Sequence, residues 1–218
     1  MICYEYINEF IRKETSPNNE YLKSLERYSK INGVPIIKPE TAKLIAVFIR
    51  VQKPVRILEV GTGIGYSSIL FSYETTQKTR IDTIEKDENM FNLARNNIKE
   101  ANMQNRINVI LGEGQDVLPC LNKKYDLIFL DASKGKYIEM LPHCLRILNN
   151  GGVLISDNIL YKGMVADDKL IAKRKRTIVN KMRKYINELC NTPVLETSIV
   201  PIGDGLSISF KKERENHE

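Results

Sequence analysis

The chain has 218 residues, 42% of them hydrophobic and 28% charged, with a formal net charge of +6. That length and balance suit one soluble α/β domain, and no apolar run approaches the ~20 residues of a membrane span. The basic excess leans toward an anionic partner. Only two histidines are present, His143 and His217, which sets aside His-based triads and His-rich zinc sites. Any metal would therefore rest on oxygen ligands, as magnesium, manganese and calcium do. Cys3, Cys120, Cys144 and Cys190 are far apart and form no Cys-x-x-Cys pair, so buried thiols in a reducing compartment are expected. The N-terminal MICYEYINEFIRKE mixes charge into its apolar positions and has no small-residue cleavage site. The expected address is the cytoplasm.

Three helices are expected in the first fifty residues. Tyr6, Ile7, Phe10 and Ile11 recur at helical spacing, as do Tyr21, Leu22, Leu25 and Tyr28. Asn32-Gly33 ends the second helix, and a third begins near Glu40 behind Pro39 and runs to about Arg50. Strands are then expected at Val55–Val60, Arg80–Glu85, Ile107–Leu111, Leu127–Asp131 and Val153–Asp157, three of them short apolar runs of the kind buried on both faces. Helical stretches lie between most of these, at Ser67–Tyr73, Glu88–Ala101 and Lys136–Leu148, with Asn150-Gly151-Gly152 as the turn into the fifth strand. Such alternation means βαβ crossovers and a doubly wound, mostly parallel sheet. A long helix is expected over Asp167–Cys190. Leu195–Pro201 and Leu206–Phe210, joined by Gly203-Asp204-Gly205, must then form an antiparallel hairpin. Seven strands in all give a single domain over 1–218, with a helical cap at 1–50, an α/β core at 51–211 and a polar tail at 212–218. A mostly parallel sheet finished by such a hairpin resembles the Rossmann-like fold of the class I methyltransferases.

Glu59-Val60-Gly61-Thr62-Gly63-Ile64-Gly65-Tyr66-Ser67 is a strand end, a glycine-rich turn and a helix start. Glycines let backbone approach a ligand closely, and the crevice beyond the carboxyl ends of the strands is where such sheets hold cofactors. Glu85, twenty residues after Gly65, can accept from both hydroxyls of a ribose. These features alone fit a dinucleotide as well as S-adenosylmethionine. The glycines run Gly-x-Gly-x-Gly, however, unlike the spacing that seats a pyrophosphate on a helix N-terminus. Glu59 would also repel a pyrophosphate while suiting a cationic sulfonium ligand that carries an amino group.

Asp131 closes the fourth strand and Asp157-Asn158 the fifth. Asp and Asn at such positions often cap helices; two carboxylates and an amide oxygen converging there would equally suit a hard divalent ion. The segments Glu59–Ser67, Asp131-Ala132-Ser133-Lys134-Gly135-Lys136-Tyr137, Ser156–Gly163 and Pro201–Ser209 resemble the motifs of the metal-dependent O-methyltransferase family, which includes the catechol and caffeoyl-coenzyme A enzymes. The resemblance runs from about Gly33 to Lys211. It implies a divalent metal, Mg2+, on Asp131, Asp157 and Asn158, and Lys134 beside the acceptor hydroxyl as base or oxyanion stabiliser, with Asp131 sharing the catalytic role. It implies S-adenosylmethionine at Ile37, Glu59, Gly61, Ser67, Glu85, Glu113, Gly114, Gln115 and Asp131. Ala132 and Ser133 are smaller than the residues after this aspartate in the catechol enzymes, so a more open mouth is expected.

From Lys169 to Lys184 the chain carries eight basic residues and no acidic one. Ile171, Ile178, Met182, Tyr185 and Leu189 form an apolar stripe at helical spacing, leaving the basic faces to solvent or to a polyanion. Lys173, Arg174 and Arg176 are the expected RNA contacts. Within the family the pattern is most similar to the bacterial tRNA 5-hydroxyuridine methyltransferases, which implies an anticodon-loop acceptor, already unpaired, and 5-methoxyuridine as product. A small catechol is the runner-up. A nicotinamide oxidoreductase would leave Glu59 and the Asp131, Asp157 and Asn158 set unexplained, and a non-catalytic RNA-binding module would leave the glycine loop without a purpose. A homodimer is expected, with the N-terminal helices as its interface or as a pocket lid.

Overall fold

The computed structural model describes residues 3–15 and 19–213. Most of the tail expected at 212–218, His217 included, lies outside them. Seven strands run in one mixed sheet, and the chain divides into two compact units, Cys3–Gly114 and a second beginning at Gln115.

In the first unit three helices precede the strands: α1 (Glu5–Thr15), α2 (Glu20–Asn32) and α3 (Pro39–Gln52). Asn19 caps α2 by accepting from Leu22 N, and Gly33 closes it in the left-handed region. The Arg12 guanidinium grips both carboxylate oxygens of buried Glu40, at 2.8 and 3.0 Å, tying α1 to the first turn of α3. Parallel strands β1 (Arg56–Val60), β2 (Arg80–Glu85) and β3 (Ile107–Leu111) follow, with β2 between the other two. Ile57, Leu58 and Val60 are essentially inaccessible, as are Ile81 and Ile84 beside them, each contributing about 1.5–3 kcal/mol by burial. The crossovers are α4 (Tyr66–Tyr73) and α5 (Glu88–Glu100), the latter capped by Asp87. α6 (Gly114–Cys120), which starts on the last residue of this unit and belongs otherwise to the second, falls in a stretch where no helix was expected. It spans only seven residues and carries Pro119, too little for a periodic signal.

In the second unit β4 (Tyr125–Leu130) lies parallel to β5 (Leu148–Ser156), and β7 (Leu206–Lys211) is antiparallel to both β5 and β6 (Leu195–Val200). The hairpin is as expected. α7 (Tyr137–Ile147) and α8 (Arg176–Asn191) complete the unit.

Three expectations need correction. β5 begins at Leu148 and runs through Asn150-Gly151-Gly152, which is an irregularity in the ladder with β4 rather than a turn. A Cβ on Gly152 would sit 2.8 Å from the Asn149 carbonyl, so only glycine lets the strand fold over itself there. The helix expected from Asp167 starts at Arg176, because Asp167 caps a short 3-10 turn at Lys169 N and Ala172 is extended (ψ 133°) before a second such turn over Lys173–Lys175. Ile171 is therefore off the stripe, which is built from Val179, Met182, Tyr185 and Leu189. Of the four thiols only Cys144 is buried; Cys3 is half-buried, and Cys120 and Cys190 are exposed. No helix among the described residues is long and apolar enough to cross a membrane.

Candidate functional site

The glycine loop leaves β1 at Val60 and is stitched to the end of β2. Gly61 N and Thr62 N both donate to the Ile84 carbonyl, at 2.9 and 3.3 Å. Gly61 (φ 104°) and Gly63 (φ 54°) take backbone angles that side chains disfavour. Glu85 stands at the end of β2 with its carboxylate held by three amides: Gly63 N at 2.8 Å on Oε2, and Lys86 N and Asp87 N at 2.9 Å on Oε1. A carboxylate so fixed keeps about one of its roughly four acceptor sites, on Oε2, which a vicinal diol can share. Glu59 is fully buried, and its carboxylate accepts from the hydroxyls of Ser67, Ser68 and Thr83. It pins the start of α4, so any influence on a ligand's ammonium group passes through Ser67 and the local charge. Ile37 is buried in the extended stretch before α3. Glu113 is exposed and lies 3.7 Å from Lys86 Nζ. Gly114 opens α6, and the Gln115 Oε1 beside it is buried with no hydrogen-bond partner among the described residues. An orphaned buried acceptor is costly, and the exocyclic amine of an adenine would satisfy it. The amide-held Glu85 carboxylate of the first unit fits a ribose, and the Gln115 amide oxygen of the second, taken by itself, fits an adenine amine.

The carboxyl ends of β4 and β5 carry the second constellation. Asp131 is half-buried, Asp157 is 3% exposed, and Asn158 has a left-handed backbone (φ 56°). Burial first, and then the charge of Asp131, pushes the Asp157 carboxyl up to about 7, against the lowering effects of the Asn158 amide and the Lys134 ammonium. Two carboxylates close enough to oppose each other's ionisation make a site short of positive charge. Lys134, in a 3-10 turn, supplies one cation 3.4 Å from Asp131 Oδ1. No group of three or more His, Cys, Asp or Glu side chains suited to a metal occurs among the described residues. A divalent ion here would rest on two carboxylates, the Asn158 amide oxygen and water, a donor set that fits Mg2+.

Two features that the sequence did not flag brace this end. Tyr137 is fully buried, and its hydroxyl touches backbone groups of both strand ends. Burial, then the charges of Asp131 and Asp157, keep its phenol protonated well above the ordinary range. It was visible only as the last letter of the Asp131 motif. Asp204, in the β6–β7 turn, accepts Lys162 N at 2.6 Å through Oδ1 and Leu160 N at 3.1 Å through its carbonyl. The loop after Asn158 is also tied to the basic segment. Arg183 donates to the Val165 carbonyl at 2.9 Å and pairs with Asp168 at 2.7 Å, and Lys175 Nζ sits 5.9 Å over the Tyr161 ring. Lys173, Arg174 and Arg176 are exposed. Lys173 and Arg174 lie in the 3-10 turn and Arg176 opens α8, so the three do not share one helical face.

The chain matches the family model described as O-methyltransferase over residues 12–212. A catechol O-methyltransferase of Niastella koreensis is 28% identical over 191 residues, 83% of this chain and 85% of that protein. Among solved structures, a Staphylococcus aureus protein provisionally named a caffeoyl-CoA O-methyltransferase is 31% identical, with a TM-score of 0.85 over 95% of this chain and 98% of that one. An O-methyltransferase of Bacillus cereus in complex with SAH shares the fold at 23% identity, with a TM-score of 0.84 over 95% and 97% of the two chains.

Proposed function

The chain belongs to the O-methyltransferase family, and we propose that it moves the methyl group of S-adenosylmethionine onto a hydroxyl held beside a divalent cation, with 5-hydroxyuridine of a tRNA anticodon loop as the acceptor. S-adenosylmethionine supplies a methyl group made electrophilic by the sulfonium. A divalent ion such as Mg2+ supplies Lewis acidity that eases loss of the acceptor's proton. The remaining work falls to this chain's own side chains. Glu85 holds the ribose diol with a carboxylate already fixed by three amides. Gln115 Oε1, otherwise orphaned, takes the adenine amine. Asp131, Asp157 and Asn158 hold the cation, and Lys134 Nζ steadies the negative charge that develops on the acceptor oxygen. In-line displacement requires the reacting atoms about 3–3.5 Å apart, which makes orientation of the acceptor the main task of the 158–168 loop.

The observation that carries the reading is the Asp131 and Asp157 pair: two carboxylates short of positive charge, one nearly inaccessible. For the acceptor, the support is the basic segment, which the Arg183 and Lys175 contacts fasten to the 158–168 loop. Lysine and arginine clusters supply sequence-independent phosphate contacts. A 5-hydroxyuracil carries its hydroxyl beside the C4 carbonyl, so it can chelate an ion much as a catechol does. A free catechol is the second reading, favoured by the Niastella koreensis relative named for that activity; it has no use for a basic surface.

Calorimetry on Asp157→Ala tests the division of labour. S-adenosylhomocysteine affinity should stay at the wild-type value while turnover falls to near background. A parallel loss of both would point to misfolding; wild-type turnover, or lost S-adenosylhomocysteine affinity in a variant that unfolds like wild type, would contradict the assignment of Asp157 to the acceptor end.

A further inference from the structure

Tyr137 opens α7 with no exposed surface. Its hydroxyl oxygen lies 3.0 Å from the Leu130 carbonyl and 3.2 Å from the Asp157 carbonyl, two acceptors that share its proton, and it accepts the Ala132 amide at 3.2 Å. Leu130 and Ala132 are the chain neighbours of Asp131. One oxygen therefore grips the backbone before and after that aspartate and the backbone of Asp157 itself. The Leu130 carbonyl also accepts Asp157 N at 2.9 Å, which closes the junction. The ring packs edge-on against Tyr185, with 5.3 Å between centroids, and the Tyr185 hydroxyl bonds Ser156 at 2.6 Å rather than either aspartate's backbone.

A buried phenol needs one partner, and this one has three, all on the strand ends that bear the two aspartates. Two like charges at those ends repel each other, and repulsion alone would splay them. A tether that sets their spacing in advance lowers what a cation must expend in drawing them together. We infer that Tyr137 is a positioning residue, whose hydroxyl fixes the separation of Asp131 and Asp157 so that they meet a divalent cation as a preformed pair. The inference rests on the metal reading of this end of the sheet.

The test measures Mn2+ binding to the full chain by electron paramagnetic resonance, for wild type, Tyr137→Phe and Tyr185→Phe, with S-adenosylhomocysteine affinity as the check that each chain is folded. Phenylalanine fills the same space and removes only the hydroxyl. Tyr137→Phe should bind Mn2+ roughly 10–100-fold more weakly with S-adenosylhomocysteine affinity unchanged. Tyr185→Phe, which also loses a buried hydroxyl, should bind Mn2+ like wild type. Wild-type Mn2+ affinity in Tyr137→Phe, or an equal loss in Tyr185→Phe, would overturn the inference while leaving the metal reading intact. A wild-type chain that takes up no Mn2+ would instead sink the metal reading, and the inference with it.

Discussion

Gly205 lies against Leu160: its carbonyl accepts Ile159 N at 2.9 Å, and a Cβ built on it would run into the Leu160 side chain. Its φ of 88° adds a second reason for glycine. The β6–β7 turn thereby acts as a brace for the loop that follows Asp157 and Asn158. Gly205→Ala should destabilise the chain by about 1–3 kcal/mol. Adding Leu160→Ala should recover part of that loss, by a coupling of about 0.5–3 kcal/mol in a denaturant double-mutant cycle. Additive losses would mean that the two residues do not press on one another.

Glu85→Gln should weaken S-adenosylhomocysteine binding about 10–100-fold, the worth of one hydrogen bond to a charged acceptor. Mn2+ affinity should not change, since Glu85 belongs to the first compact unit and the aspartates to the second. Calorimetry with each ligand separately checks both halves. Retained affinity for S-adenosylhomocysteine would remove Glu85 from the ribose site.

The Arg12 and Glu40 pair makes a pH prediction. Burial pushes the Glu40 carboxyl up, but the Arg12 hydrogen bonds and charge outweigh it and hold the group below its ordinary 4.5. A carboxyl depressed in the folded chain contributes stability that is complete above 4.5 and lost as pH falls through the lowered value. Arg12→Gln leaves a buried carboxylate without its cation, and the trend should invert: destabilised at pH 7, and partly recovered as the pH falls toward 5 and Glu40 takes up a proton. Urea unfolding from pH 7 down to 4 shows the sign. Parallel curves for the two proteins would mean that the fork contributes nothing to stability.

Neutralising Lys173, Arg174 and Arg176 together should weaken RNA binding at low salt. The slope of log affinity against log salt should flatten by about 0.7 for each single-strand phosphate that these side chains no longer neutralise. S-adenosylhomocysteine affinity serves as the control. A slope identical to wild type would remove this segment from the RNA surface and favour the catechol reading.

Most of the sheet was legible from sequence because short apolar runs between turn residues have few alternatives. β1, β2 and β3 lie within a residue of their expected bounds. Asp131, Asp157 and Asn158 were legible as residues just past the ends of β4 and β5; the ligand role proposed for them came from the family motifs and not from the strand pattern. The region after Asn158 was not legible. The apolar spacing from Ile171 to Leu189 suggests one helix, yet Asp167 caps its own short turn and Ala172 is extended, and side-chain competition of this kind leaves no periodic trace. The partnerships of Tyr137, Asp204 and Gly205 were hidden too, since each joins segments that only tertiary folding brings together.

The most direct test of the central claim is methyl transfer from labelled S-adenosylmethionine, with Mg2+ and with chelator, to 5-hydroxyuridine-containing tRNA and to a simple catechol. Chelator-sensitive labelling of the tRNA, with little of the catechol, is the predicted result. Labelling of neither acceptor, or labelling of tRNA that chelator leaves untouched, would contradict it.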